Sequence, residues 1–498
     1  MTVTAPPSGD GWETDPSRES LGGRAGRGGL YMVAAQAARF VLQVGSTVVL
    51  ARLLTPADFG VVGMVVAVTA LADQLKEAGL SAAVVQRRAV TLQQVNALFW
   101  INVVVGAGLC LALAATAPAL ARFYGEEAVL PVALALSAVF FVSGFGVQHQ
   151  ALLMRRMRFG SLAARDVSAY VAGSAAGVVA AVLGAGVWAL VVLQLVQALV
   201  RTLSVWVSCD WRPGRPTLRA PGLRGFITFG VDVTAFSVLN YLARNADNVL
   251  IGRYLGAAAL GLYGRAYTLT LLPVQQITHA IAPVAVSALS RLQADNARYV
   301  EAYVRLLRPT TYAGISLTLL LLVAAPDGVP VVLGQAWVGA VPIFQVLAVA
   351  ALAQVMSATT GWLYASSGRT RAQLYWGLVT RPLIVMAFVL GLALGGTARD
   401  VGLAYACVTA LLLVPSMAVA TRGTPVPPFA WARAVAVPLL AAAVVAGGCA
   451  AVALALREWE PGDRLVVLVA TWAALFVVLG AVQRGLRDAV RTVMRRGL

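Results

Sequence analysis

The segment VLQVGSTVVLARLLTPADFGVVGMVVAVTAL, from Val41 to Leu71, holds two apolar stretches separated by a short polar break around Arg52 and Asp58. Apolar stretches of this kind recur along the whole 498-residue chain. A stretch of about 20 apolar residues crosses the hydrocarbon core of a bilayer when it forms an α-helix. The sequence therefore predicts an all-α protein that passes through the membrane many times.

The composition also indicates a membrane protein. Hydrophobic residues make up 59% of the chain and charged residues 12%, whereas about a quarter of the residues in soluble domains are charged. The mean hydropathy is +0.80. From the hydropathy we predict about 14 transmembrane helices. The predicted spans begin near Leu30, Gly60, Gln94, Ala128, Ala163, Gly186, Phe226, Leu260, Arg308, Gly339, Gln373, Asp400, Trp431 and Arg464.

The net charge of +17 comes mainly from arginines that lie between the spans. Nucleic-acid binding requires basic residues clustered on one folded face and interleaved with aromatic residues. The sequence lacks such a cluster, so we expect no nucleic-acid partner.

The same arginines predict the orientation in the membrane, because cytoplasmic loops carry an excess of Lys and Arg. One set of alternate connections contains Arg87, Arg88, Arg155, Arg156, Arg158, Arg212, Arg215, Arg219, Arg224, Arg291, Arg298, Arg305, Arg369, Arg371 and Arg422. The opposite set is short and contains Asp58, Glu126, Glu127, Asp327, Asp400, Glu458, Glu460 and Asp463. We therefore predict an even number of spans and both termini in the cytoplasm.

The spans and the composition together divide the chain into bundles and tails. The N-terminal segment is rich in Gly, Pro and scattered charges, which favours a disordered tail over a cleaved signal peptide. The predicted parts are a disordered cytoplasmic tail (1–28), an N-terminal six-helix bundle (29–208), a cytoplasmic linker (209–225), a C-terminal six-helix bundle (226–422), two additional helices (423–483) and a basic cytoplasmic tail (484–498).

An internal repeat relates the two bundles. ARLLTPADFGVVG, from Ala51 to Gly63, aligns with GRYLGAAALGLYG, from Gly252 to Gly264, at an offset of 201 positions. The coinciding pairs are Arg52/Arg253, Leu54/Leu255, Ala57/Ala258, Gly60/Gly261 and Gly63/Gly264. The same offset places Gln36, Arg39, Gln43, Ser46 and Thr47 over Ser237, Asn240, Arg244, Asp247 and Asn248, all polar. Parallel repeats are related by a two-fold axis along the membrane normal and place a substrate site between the halves.

Polar residues inside the spans are the candidate binding residues. A charged side chain at mid-bilayer costs about 2.5 to 3.5 kcal/mol, so such residues normally face a protein interior or an aqueous cavity. We expect Arg39, Arg244 and Arg265 to bind an anionic group, because guanidinium groups form bidentate bonds with phosphates. The candidates for contacts with sugar hydroxyls are Gln43, Asn240, Asn248 and Gln276. The candidates for ion coupling are Asp73, Glu77, Asp247 and His279.

A purely structural role is the alternative for each of these residues. Polar side chains also hold transmembrane helices together through hydrogen bonds of roughly 0.6 to 2 kcal/mol each. Arg52 and Arg253 lie at span ends, where long basic side chains reach the membrane surface. His279 fits a packing role as well as proton transfer.

Sequence motifs of several enzyme classes are absent. Lys76 is the only lysine, and no Gly-x-x-x-x-Gly-Lys sequence surrounds it, so the phosphate-binding loop of an ATPase is missing. The sequence also lacks HExxH, GxSxG and any metal-ligand spacing of its four cysteines. We therefore expect neither an enzyme nor a bound cofactor or metal.

Three segments resemble a known family: ARLLTPADFG (51–60), GLSAAVVQRR (79–88) with NALFWIN (96–102), and RNADNVLIGRYLGAAALGLYGRAY (244–267). They are similar to Wzx-type polysaccharide and O-antigen flippases, within the multidrug/oligosaccharidyl-lipid/polysaccharide exporter superfamily. The resemblance implies two six-helix bundles with two additional C-terminal helices. It also implies basic residues lining a cavity on the first, second and eighth helices, which fits Arg39 and Arg265 by position.

The resemblance further implies a function. Such flippases move an undecaprenyl-diphosphate-linked oligosaccharide to the outer leaflet of the bacterial inner membrane by alternating access, for lipopolysaccharide, capsule or exopolysaccharide synthesis. The implied partners are this lipid-linked oligosaccharide, membrane lipids, a coupling ion such as a proton or sodium, and a polysaccharide polymerase. The alternatives are a MATE-type small-molecule exporter and a membrane polysaccharide polymerase or ligase. The intramembrane cations favour an anionic substrate over the cations that MATE exporters transport.

Overall fold

A computed structural model describes residues 38–77, 84, 90–217 and 245–482, and most of these residues are helical. In chain order the helices are α1 (38–53), α2 (Pro56–Glu77), α3 (Leu92–Tyr124), α4 (Val129–Arg155), α5 (Phe159–Val182), α6 (Val187–Ser208), α7 (Ala246–Ser290), α8 (Asn296–Leu333), α9 (Ala340–Ala358), α10 (Thr360–Ser366), α11 (Thr370–Gly395), α12 (Ala398–Thr421), α13 (Pro428–Ala455) and α14 (Pro461–Val482).

Within these described ranges, nine helical stretches are long and apolar enough to cross a membrane. Most helix starts lie within a few residues of the predicted span starts. The residues of the predicted seventh span before Asn245 lie outside the described ranges, as do both predicted tails. The prediction of an all-α protein with serial membrane spans is confirmed.

The chain forms two compact units, Met1–Ala258 and Ala259–Leu498. In the first unit α3 packs against α4, α5 against α6, and α4 against α6. In the second unit α8 packs against α9, α13 and α14, while α12 packs against α9 and α11. Helix α7 begins in the first unit and continues into the second.

Helix α8 begins well before its predicted start near Arg308. Asp295 caps the helix by accepting a 3.1 Å hydrogen bond from the backbone N–H of Arg298. The first turns are amphipathic, and their buried Tyr299 and Tyr303 pack in a cluster with Trp362. Hydropathy recognises only the apolar part of such a helix, so it places the start too late.

The two repeat copies have the same local structure. Helix α1 ends at Leu53 and α2 begins at Pro56, while α7 is interrupted at Gly256 with φ 81° and ψ −179°. The gap residue Thr55 aligns with Gly256 at the 201-position offset. The flanking pairs also match in burial: Arg52 and Arg253 are exposed, and Gly60 and Gly261 are buried.

The helix breaks are formed differently in the two copies. In the first, the Asp58 carboxylate accepts hydrogen bonds from the backbone N–H (2.9 Å) and the hydroxyl (2.7 Å) of Thr55, and Pro56 starts the next helix, as is common at this position. In the second, Gly256 adopts a positive φ that glycine tolerates at no steric cost. Two different local sequences therefore interrupt the helix at the same position of the repeat.

The predicted linker begins as an ordered segment of the first unit. The side chain of Asn96 donates to the carbonyl of Arg215 and accepts from the N–H of Gly214, both at 2.8 Å. Trp211 packs beside the buried His149, whose ring stacks on Trp206 with a centroid distance of 4.6 Å. Residues 209–217 are thus held against the ends of α3, α4 and α6.

Helix α14 is attached to α8 at three levels. The Trp472 indole donates to Ser316, and the Tyr312 hydroxyl donates to the carbonyl of Phe476 at 2.9 Å. Near the other end, both oxygens of Asp327 accept hydrogen bonds from the guanidinium of Arg464. Asp327, which we placed in a connection between spans, instead lies buried within α8. Its charge is tolerated there because a bidentate partner compensates it.

Candidate functional site

Arg39 is the predicted binding residue whose surroundings the structure describes best. It is the second residue of the described part of α1 (38–53), roughly 21 Å along the helix from Leu53 at 1.5 Å per residue. Its side chain is 36% exposed, and its Nη1 lies 4.0 Å from Oδ2 of Asp166 in α5. The intramembrane cation predicted from the sequence is thus opposed by a carboxylate of another helix.

Asp166 also pairs with its neighbour Arg165. The Nε and Nη2 atoms of Arg165 donate to Oδ1 of Asp166 at 2.9 and 2.7 Å. One carboxylate therefore bridges two guanidinium groups, and the three side chains together carry a net charge of +1. We call Arg39, Arg165 and Asp166 the Asp166 cluster.

The sequence interpretation missed two members of this cluster. We predicted the fifth span to begin near Ala163 and named neither Arg165 nor Asp166 as a candidate. The helix begins at Phe159 instead, so these residues lie about 10 Å inside it. The sequence feature that could have identified these residues is an Arg-Asp pair followed by an apolar run.

Further polar groups lie between α5 and α6, beyond the Asp166 cluster. A Cβ at Gly173 would contact Gln197, and one at Gly177 would contact Leu193, so the two helices run antiparallel in close contact. This register places Arg201 about one turn from Arg165 along the pair. The buried side-chain atoms here without a hydrogen-bond partner are Nε of Arg201, Nε2 of Gln197 and Oγ of Ser174.

Gln43 follows Arg39 on the same face of α1, one turn further on, because residues four apart are neighbours on a helix. It is half-buried. Its backbone carbonyl accepts a 3.2 Å hydrogen bond from the hydroxyl of Ser46. Arg39 and Gln43 therefore share one face of α1.

Asp247 and Asn248 lie in the first turn of the described part of α7. Asp247 is 2% exposed, and its Oδ1 accepts a 2.8 Å hydrogen bond from the backbone N–H of Asn248. The Asn248 amide donates to Oδ1 of Asn245 at 3.3 Å. These local bonds favour the structural alternative for Asn248, and a carboxylate in a first turn suits the helix dipole.

The remaining predicted residues are only partly described. Arg265 is half-buried on α7 in the second unit. Asn240 and Arg244 lie outside the described residues, and for Asp73, Glu77, Gln276 and His279 only the helical backbone of α2 and α7 is described. The parts of the chain with described side chains hold no group of three His, Cys, Asp or Glu residues suited to a metal ion.

The nine long apolar helices in the described ranges define a polytopic α-helical membrane protein. The family described as "Polysaccharide biosynthesis protein" matches residues 49–342, which is more than half of the chain. The protein belongs to this polysaccharide biosynthesis family.

Curated relatives cover about two thirds of the chain. The lipopolysaccharide biosynthesis protein WzxC of Escherichia coli (strain K12) is 28% identical over 353 residues, which are 70% of this chain and 71% of the relative. The succinoglycan biosynthesis transport protein ExoT of Rhizobium meliloti (strain 1021) is 25% identical over 318 residues, 64% of each chain.

Among solved structures, the lipid II flippase MurJ in an inward closed conformation has a similar fold. The TM-score is 0.71, and the match covers 93% of this chain and 99% of the MurJ chain at 11% sequence identity. At this identity the likeness establishes the fold alone. The fold class predicted from the sequence is therefore confirmed.

Proposed function

We propose that this protein is a flippase that moves an undecaprenyl-diphosphate-linked oligosaccharide from the cytoplasmic to the outer leaflet. The observation that carries this proposal is the Asp166 cluster, which brings two guanidinium groups of α1 and α5 together around one carboxylate in a polysaccharide biosynthesis family member. The flippase fold and the relative named as a transport protein support it.

The chemistry of the cluster suits a diphosphate. Guanidinium groups form short, bidentate, charge-assisted hydrogen bonds with phosphate oxygens. A polar head group crosses the bilayer only if the protein replaces its hydration, whereas the isoprenoid tail stays in the lipid. Binding at mid-membrane followed by alternating access moves the head group without making or breaking a bond. The protein thus acts as a transporter rather than an enzyme.

The positive net charge of the Asp166 cluster distinguishes this function from drug export. A MATE-type exporter of cations requires an available intramembrane carboxylate, whereas Asp166 already contacts two arginines. The net positive charge favours an anionic substrate. For the same reason we retain Arg39, Arg244 and Arg265 as candidates for binding the diphosphate, and Gln43, Asn240 and Gln276 as candidates for binding the glycan. The local hydrogen bonds of Asn248 favour a structural role for that residue instead.

The finer parts of the proposal concern location and coupling. We place the protein in the bacterial inner membrane with both termini in the cytoplasm, and we retain the division into bundles, linker and tails given above. Asp73, Glu77, Asp247 and His279 remain the candidates for coupling to a proton or sodium ion. A polysaccharide polymerase is the proposed partner that receives the flipped glycan.

Deleting the gene tests the function directly. We expect undecaprenyl-diphosphate-linked oligosaccharide to accumulate in the deletion strain and surface glycan to disappear, because the head group cannot cross unaided. Mass spectrometry of extracted lipids and immunoblotting of surface glycan measure the two effects. A plasmid with the wild-type gene restores both to normal, and a deletion strain with unchanged lipids and glycan contradicts the proposal.

Cysteine labelling tests the orientation. Glu460 and Arg215 are both exposed residues outside the helices. In a variant whose four native cysteines are replaced by alanine, we expect Glu460→Cys to react with an impermeant maleimide on intact cells. Arg215→Cys is expected to react only after permeabilisation, because arginine-rich connections stay in the cytoplasm. The opposite labelling pattern reverses the assigned orientation.

A further inference from the structure

The Asp166 cluster has an asymmetric geometry. Oδ1 of Asp166 accepts two hydrogen bonds from Arg165, at 2.9 and 2.7 Å. Oδ2 faces Nη1 of Arg39 at 4.0 Å, which is beyond hydrogen-bonding distance. The carboxylate therefore fixes Arg165 firmly and holds Arg39 only by charge.

From this asymmetry we infer that Asp166 is an internal counter-anion, which the diphosphate of the substrate displaces from Arg39. Arg165 is then a second guanidinium group at the diphosphate site, on a helix for which we predicted no binding residue. The inference rests on the proposed function, because it assumes a diphosphate substrate.

Charge explains why the two arginines need a counter-anion. Two guanidinium groups side by side repel each other where the dielectric constant is low. One carboxylate between them offsets this repulsion but leaves the cluster with a charge of +1. A diphosphate carries more negative charge than one carboxylate and presents oxygens to both guanidinium groups, so it outcompetes Asp166 for Arg39.

The exposed fractions of the three side chains are consistent with the exchange of the Asp166 carboxylate for a diphosphate at Arg39. The side chains of Arg39 and Asp166 are 36% and 27% exposed, whereas that of Arg165 is 12% exposed. The loosely held partner is thus the more accessible one, and the firmly held partner is the more buried one. A structural ion pair within a bundle is expected to show direct hydrogen bonds on both sides, as Asp327 and Arg464 do.

The polar groups beyond the cluster extend the site. Nε of Arg201 and Nε2 of Gln197 are buried donors without a hydrogen-bond partner. Leaving such donors unsatisfied costs free energy, which a ligand oxygen recovers. Along the α5 and α6 pair, Arg201 lies about one turn and Gln197 about two turns from Arg165, so these donors continue the polar face beyond the cluster.

The test is the affinity of the purified full-length protein for inorganic pyrophosphate, measured by isothermal titration calorimetry in detergent. Asp166→Asn keeps the shape of the side chain and removes its charge. We expect Asp166→Asn to bind pyrophosphate at least about fivefold more tightly than the wild type, because the competing carboxylate is gone. We expect Arg165→Gln to bind at least about tenfold more weakly.

Asp210→Asn is the matched control. Asp210 pairs with Arg156 and Arg158 outside the spans of the same unit, so the same charge change there is expected to alter the affinity by less than about twofold. Equal or weaker binding by Asp166→Asn, relative to the wild type, overturns the inference. If Asp166→Asn does not fold, Asp166→Glu replaces it. Its longer side chain reaches Arg39 directly, so it is expected to weaken binding, and unchanged or tighter binding overturns the inference.

Export in the deletion strain separates this inference from the proposed function. If the wild-type gene restores surface glycan but Asp166→Asn does not bind pyrophosphate more tightly, the inference alone fails. If the deletion strain exports glycan normally, the proposed function fails whatever the affinities are.

Discussion

Arg39→Ala is expected to reduce glycan export at least about 100-fold while the protein remains inserted in the membrane. The substitution removes the more accessible guanidinium of the Asp166 cluster and lowers the net charge of that cluster from +1 to zero. Without that charge the Asp166 cluster has no net attraction for a diphosphate. Complementation of the deletion strain, with quantified surface glycan, measures the effect. Membrane abundance is measured in parallel by immunoblotting.

Two further substitutions show whether the loss is specific. Arg39→Lys keeps the charge but not the planar fork, so an intermediate export level is expected. Arg122→Ala makes the same chemical change at the end of α3, where the exposed Arg122 donates to the carbonyl of Pro118, and it is expected to export normally. Normal surface glycan in cells with Arg39→Ala excludes Arg39 from the site.

Gly60→Ala is expected to destabilise the first unit strongly. A Cβ on Gly60 would lie 1.7 Å from the carbonyl oxygen and 2.4 Å from the carbonyl carbon of Ala257. Both atoms belong to backbone, so no side chain can move aside, and the helices must separate. We expect destabilisation of at least about 3 kcal/mol. Thermal melting and size-exclusion chromatography of the purified protein measure it.

Gly108→Ala is the control for this substitution. Gly108 lies in α3, and a Cβ there would have no neighbouring atom within 4 Å. Alanine is favoured over glycine inside a helix by roughly 0.5 to 1 kcal/mol, so the melting temperature is expected to stay the same or rise. Equal melting temperatures for Gly60→Ala and the wild type contradict the close backbone contact.

Much of the fold was predictable because the hydropathy of a segment shows whether that segment lies in lipid or in water. Helix starts follow the apolar runs, so α3, α4 and α9 begin within about two residues of their predicted starts. The start of α8 was not predictable in this way, because its first turns bury tyrosines on one face only. The repeat was predictable from matched residues, although Thr55 and Gly256 break their helices by different means.

The candidate site was predictable only in part. Arg39 is recognisable because a charge within an apolar run needs a special environment. Asp166 and Arg165 lie near the predicted start of the fifth span, and charged residues are common at span ends. Their role therefore depends on where α5 starts. The approach of Asp166 to Arg39 joins two different helices, α1 and α5, and sequence periodicity does not reveal which helices come together.

The three attachments between α8 and α14 make the last helix a reporter for the second unit. A helix held by Asp327, Ser316 and Tyr312 at separate heights can neither slide nor rotate without breaking buried bonds. Val477 on α14 is 65% exposed, so a spin label there avoids the packed interior. The distance from this label to a second label on the first unit would therefore report rigid-body displacement of the second unit. Motion of α14 within that unit would not contribute to it.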